Sequence, residues 1–342
     1  MAVPECHYPD WRDHYRQLLA SSELNTDTVL SQALALTGSS RQAQSPSAPG
    51  QTEPLSLAEC LAQPERLRHQ LRMDHPETSD ARLMRAHVSV VQQDLALSVI
   101  APLTLNLFRY GEAPLPNEHE VFLGPANGAM ASSRWFHRPT GPCVGINNFV
   151  KHLADQLNAW YPVFRQALGV SPGAFWSSIG LGLGAPFSAV WNQADAQSVC
   201  ALAQAWLDNF DCDGSRFVGW IPATFNGQTC AIPQRKGCCL KYLLPEGGYC
   251  GTCGVYRKVR LAELNRPAQH PSPASGSQDN KQPCACGDFQ SFDHFLFRCH
   301  RVYSLHPMRG RDYRSGLYPL RFQAPSVAGP FCSWPLLFLA HP

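Results

Sequence analysis

Four thiols fall within sixteen positions of one short stretch, R-K-G-C-C-L-K-Y-L-L-P-E-G-G-Y-C-G-T-C, residues 235–253. Cys238 and Cys239 are adjacent, ten residues follow, and Cys250 and Cys253 close the stretch as a C-x-x-C step. Such a step turns two thiolates toward one metal centre. Gly247 and Gly248, after Pro245, supply a turn that folds the second pair back on the first. Zinc ribbons use two C-x-x-C knuckles, and a vicinal pair makes a poor knuckle because neighbouring side chains diverge. Two irons bridged by sulfide are a larger target that accepts ligands from more varied directions. That favours a [2Fe–2S] cluster, with a zinc clip and disulfides as the alternatives.

The pattern C-C-L-x-Y-x-L-P-x-G-x-x-C-x-x-C, with Arg235 and Lys236 just before it, resembles the C-terminal signature of FhuF-type siderophore-iron reductases. The resemblance implies that Cys238, Cys239, Cys250 and Cys253 each ligate one [2Fe–2S] cluster. It also implies the activity, one-electron reduction of ferric iron held by a siderophore. Siderophores hold Fe(III) in hard oxygen donors that bind the larger, less charged Fe(II) far more weakly, so one electron frees the metal. Arg235 and Lys236 are expected to face the anionic iron complex and to raise the cluster's potential, with a solvated surface charge as the alternative for each. Lys241, which could add to that potential, reads first as a solvated surface charge. Backbone N–H groups near Gly247, Gly248, Gly251 and Gly254 are expected donors to the cluster sulfurs. No nicotinamide or flavin motif stands out, so the electron donor is expected to be another protein or a small reductant. The alternative function is a non-enzymatic zinc-binding interaction protein.

Composition narrows the field. A chain of 342 residues with 44% apolar content can build real cores, and its formal charge of +2 gives no electrostatic case for nucleic acid. No uninterrupted apolar run reaches the ~18 residues of a spanning helix. The nearest, Leu95–Phe108, is broken by Pro102 and by Ser98, Thr104 and Asn106. The N-terminus has neither the basic nor the apolar region of a secretion signal, so the fourteen cysteines read as reduced thiols and metal ligands. The expected place is the cytoplasm, including a peripheral position at the inner membrane.

The elements that must position the thiols read as mainly α with a small β component (α+β). A helical domain would carry a C-terminal cysteine-rich [2Fe–2S] clip. Residues 1–36 form an N-terminal helical segment, with Trp11, Tyr15, Leu18 and Leu19 on one side of its first helix, and 37–54 a polar linker. Residues 55–233 form the FhuF-like helical domain. Its clearest helix is Ala81–Ala101, capped by Ser79 or Asp80, with Met84, Val88, Val91, Leu95 and Val99 in register. Pro102 should kink or end it. Glu120–Leu123 and Ser133–His137 read as a hairpin whose Arg134, Trp135, His137 and Arg138 offer a cationic, aromatic wall or a plain surface ribbon. Helices follow at 147–168, from Ser171-Pro172 onward, and at 188–210, the glycines of 180–184 serving as a helix-ending hinge. Strands at 218–224 and 228–233, joined by Asn226-Gly227, lead into the cluster segment, 234–266.

Residues 267–283 form a second polar linker. Beyond it, Cys284, Cys286, His294 and Cys299 have the spacing of a small zinc knuckle, set in a tail, 284–342, that otherwise reads as disordered.

Overall fold

The computed structural model describes residues 10–37, 53–76, 78, 80–125, 133–225, 227–245 and 247–253. Most of the two linkers, the hairpin tip and the Cys284–Cys299 knuckle lie outside the described residues. Asp10 caps α1 (Trp11–Ala20) by accepting from the Asp13 N–H, and α2 (Thr26–Thr37) follows. A short strand β1 (Leu55–Ser56) runs into α3 (Leu57–Ala62), where Ser56 and Glu59 form a reciprocal capping box. Pro64 opens α4 (Pro64–Asp74), where its missing N–H is harmless.

Asp80 caps the next helix, α5 (Ala81–Leu95), which passes through a π turn (Ala96–Ile100) into α6 (Ala101–Tyr110). Pro102 therefore does not end the run. A proline ring collides with the carbonyl four residues back, and the turn before it widens instead, the Ala101 N–H reaching back to the Ala96 carbonyl. The helix stops at Gly111, whose φ of 85° is left-handed. By length and composition Ala81–Tyr110 is long and apolar enough to cross a membrane, yet 89% of its apolar window is buried inside the protein.

Four short strands come next: β2 (Glu112–Pro114), β3 (Val121–Pro125), β4 (Ser133–His137) and β5 (Cys143–Gly145). β1, β3 and β4 form one antiparallel sheet in that order, and β2 pairs with β5. α7 (Ile146–Pro162) continues as a π turn (Val163–Ala167) beyond its proline, then Ser171 caps α8 (Pro172–Leu183). α9 (Ala185–Ser188) is a single turn, and Asp195 starts α10 (Ala196–Asp208). The single helix expected over 188–210 is thus two, because Asp195 offers a stronger start than Ser188. After α11 (Gly214–Phe217), β6 (Val218–Phe225) and β7 (Gln228–Arg235) pair antiparallel through Gly227, whose φ of 80° the two-residue turn requires.

One continuous core unites these helices. Tyr15, Phe108, Phe187 and Trp206 meet edge to face, with centroids 4.9–5.6 Å apart. Their polar tips are satisfied: the Tyr15 hydroxyl donates to Pro186 O and Trp206 Nε1 to Leu183 O, each at 2.8 Å. α1 belongs to this core through Trp11, Tyr15, Leu18 and Leu19, all buried. The glycines of α8 are contact points rather than a hinge. A Cβ on Gly182 would stand 2.6 Å from Ala96 O in the π turn, and one on Gly180 2.7 Å from Val218 Cγ2. α8 can therefore lie against both the central helix and the final hairpin. That places its first turn under the cysteine segment.

Candidate metal centre

β7 delivers the cysteines. At its end the Arg235 N–H donates to Thr252 O (3.1 Å), tying the strand to the C-x-x-C step, and the Lys236 N–H donates to Phe217 O (2.8 Å). The chain then crosses the start of α8 at Gly237. A Cβ there would come within 2.5 Å of Gly173 Cα and closer still to the Gly173 carbonyl, so only glycine fits.

Cys238 and Cys239 follow, and Leu240 takes a left-handed conformation, φ 61°, unusual for a branched residue. That reversal turns two backbone donors onto sulfur. The Leu240 N–H donates to Cys238 Sγ at 3.4 Å, and the Lys241 N–H to Cys239. A 3-10 turn (Lys241–Leu243) packs on α5, Leu244 is buried, and the chain reverses through Gly247 and Gly248 as their composition suggests. Cys250 and Cys253 form a tight turn, the Cys253 N–H donating to Cys250 O at 3.0 Å.

The four sulfurs meet. Cys239, Cys250 and Cys253 are buried together and half-buried Cys238 packs on them. The Cys238 and Cys250 thiols both donate to Cys239, which with the Arg235 charge and the Lys241 N–H holds the Cys239 thiol far below its ordinary range despite burial. Cys238 and Cys250 are pushed up, first by donating to Cys239, then by contact with Cys253 and by desolvation. Four converging cysteines, three buried and one half-buried, are a donor set suited to a soft, cationic centre. Among the described residues no three His, Cys, Asp or Glu side chains are disposed to hold a single metal ion, so the zinc clip gains no support.

Residues 235–253 match the FhuF 2Fe-2S C-terminal domain. Cys238, Cys239, Cys250 and Cys253 fit the motif of that FhuF domain, and the match spans this segment rather than the helical body. A search of curated proteins finds no match to the chain.

Expectations about the basic residues change. Arg235 faces no substrate: it is fully buried, with Nε donating to Ser177 Oγ (2.8 Å) and Nη2 to Ser178 Oγ (2.9 Å) and Ala174 O (3.2 Å). Lys236 is exposed. The cationic wall on β3–β4 is largely structural. Arg134 pairs with buried Asp94 at 3.1 Å, Trp135 is buried with Nε1 donating to Val91 O, His137 sits 3.9 Å from Glu120, and Arg138 is exposed over Phe122 and Phe136. Of the expected N–H donors near the glycines, that of Gly247 bonds Leu244 O at 2.9 Å, while Leu240 and Lys241 supply N–H groups to Cys238 and Cys239. Ser177 and Ser178 were not anticipated; their signal is a pair of hydroxyls inside an otherwise apolar helix, F-W-S-S-I-G-L-G-L.

Proposed function

We infer that Cys238, Cys239, Cys250 and Cys253 ligate a [2Fe–2S] cluster and that the protein reduces ferric iron carried by a siderophore. The observation that carries this reading is the meeting of four cysteine side chains inside the segment that matches a 2Fe-2S domain. The bound cluster would supply one electron at a time, converting Fe(III) of the siderophore to Fe(II), and an external donor would replace that electron.

The chain's own residues hold and shield this chemistry. The Leu240 and Lys241 N–H groups fix two sulfurs, and burial of Cys239, Cys250 and Cys253 keeps water from them. Cys238 is the edge that meets solvent, and so the side from which an iron complex approaches. Exposed Lys236 beside it favours an anionic complex. Such a reductase region spans the helical body from residue 55 to about residue 266, with α1 and α2 completing its core.

Anaerobically purified protein tests the reading. It should hold two irons and two acid-labile sulfides per chain, absorb in the visible and give an S = 1/2 EPR signal after dithionite. It should then release Fe(II) to a chelator from ferric siderophores. Cys239→Ser should lose signal and activity together. A colourless protein that resists reconstitution, or a Cys239→Ser variant with an unchanged spectrum, would sink the assignment.

A further inference from the structure

Arg235 presents an imbalance. Its guanidinium is wholly inside the protein, yet among the described residues none of the ion pairs includes it. Nε and Nη2 are satisfied by Ser177, Ser178 and Ala174 of α8. Nη1 is buried and, among the described residues, has no acceptor. A guanidinium carries five donors in a rigid fork, and a buried charged N–H without a partner is costly. Among the described residues the Arg235 charge acts on the thiol set, at Cys239 and Cys250. The residue's own backbone N–H bonds Thr252, between Cys250 and Cys253. α8 therefore holds two edges of the fork, and the third edge stays unpaired among the described residues in a side chain whose backbone is tied to the C-x-x-C turn.

We propose that Arg235 Nη1–H donates a charge-assisted hydrogen bond to a sulfur of the cluster inferred above, and that Arg235 is the positioning residue that raises the cluster's reduction potential. The proposal rests on the cluster reading. Reduction adds one negative charge to the centre, and a fixed, desolvated cation stabilises the reduced form more than the oxidised one. Lys236 and Lys241, in contact with solvent, are screened and act less. Lysine is no substitute for arginine here, because it keeps the charge and loses the fork.

The test uses the full chain, anaerobically loaded and labelled with 15N-arginine. Pulsed EPR of the reduced protein should show an arginine nitrogen coupled to the S = 1/2 centre, and Arg235→Lys should abolish it. In redox titrations Arg235→Gln should lower the reduced-to-oxidised ratio at fixed potential by about tenfold, about 59 mV for one electron. Arg235→Lys should fall between it and wild type. If Arg235→Gln fails to hold the cluster, the double variant Ser177→Ala/Ser178→Ala, which frees the fork but keeps the arginine, should lower the ratio by about threefold, a fraction of the tenfold step. A wild-type signal with no arginine coupling, or loaded variants with wild-type potentials, overturns the proposal and leaves the cluster standing. A wild type that forms no cluster overturns the reading beneath it, and this proposal with it.

Discussion

Replacing Gly237 by alanine tests whether the cysteine segment is held by backbone contact with α8. The new Cβ would stand 2.5 Å from Gly173 Cα, and Cβ contacts below 3.0 Å are essentially never found. The segment or the helix must therefore move by at least half an ångström. The obstacle is the backbone of a capped helical turn, which cannot swing aside as a side chain does. Overpacking of this kind costs about 1–3 kcal/mol. At roughly 2–4 °C per kcal/mol for a domain of this size, the melting point should fall by about 2–12 °C. Gly219→Ala in β6 is the control. Its Cβ meets only Lys236 Cε, at an ordinary 3.6 Å, and reduced chain entropy should leave it neutral or slightly stabilised. The assay is thermal unfolding by circular dichroism, paired with the native-state rate at which Cys238 and Cys250 react with a thiol reagent. Gly237→Ala should melt earlier and expose Cys250. A Gly237→Ala variant that melts with the control and labels like wild type would refute the packing argument.

Further predictions concern the scaffold. Asp94→Asn removes a buried charge that accepts from Arg134, Ser98 and the Trp135 N–H, so urea unfolding should report a loss of about 2 kcal/mol. Asp195→Ala removes the α10 cap and should cost about 1 kcal/mol at neutral pH, whereas Asp195→Asn should cost little. Bonds from Ser198 hold the Asp195 carboxyl below its usual range, so its contribution is complete above the unfolded value near ~4 and is lost as pH falls through the folded one. Asp195→Asn should flatten that acid-side decline in a pH series of melting curves. Alkylation followed by peptide mass spectrometry should modify exposed Cys143 well before Cys60, whose thiol burial raises to about 12.

Much of this was legible in the residues. Apolar spacing located α1, α5 and α7 with the right faces inward, because a helix with one apolar stripe has a single way to bury it. The Asn226-Gly227 pair placed the last hairpin, since few residues other than glycine adopt φ near 80° without strain. The stretch 235–253 was recognisable because thiols at that spacing do little else. What stayed hidden depends on neighbours far along the chain. Nothing near Pro102 says that a widened turn will absorb it, and nothing near Gly182 says that the same turn will be its partner. Arg235 looks like a surface cation until Ser177 and Ser178, nearly sixty positions earlier, are seen to enclose it. Local pattern reports a residue's preference, while its burial is decided by what folds over it.

The helix run from Ala81 to Tyr110 has a consequence for biosynthesis. It is apolar enough to suit a bilayer, and α8, which covers the π turn at its middle, begins only at Pro172. At synthesis rates of roughly 5–20 residues per second, the sixty or so intervening residues leave that face without its cover for about 3–12 s. During that interval the nascent chain presents an uncovered helix of spanning length and apolar composition. Ribosome profiling of chaperone-bound nascent chains should show an engagement peak that opens after Tyr110 emerges and closes once α8 has left the tunnel. Codon choice between residues 111 and 171 then becomes a determinant of yield in its own right.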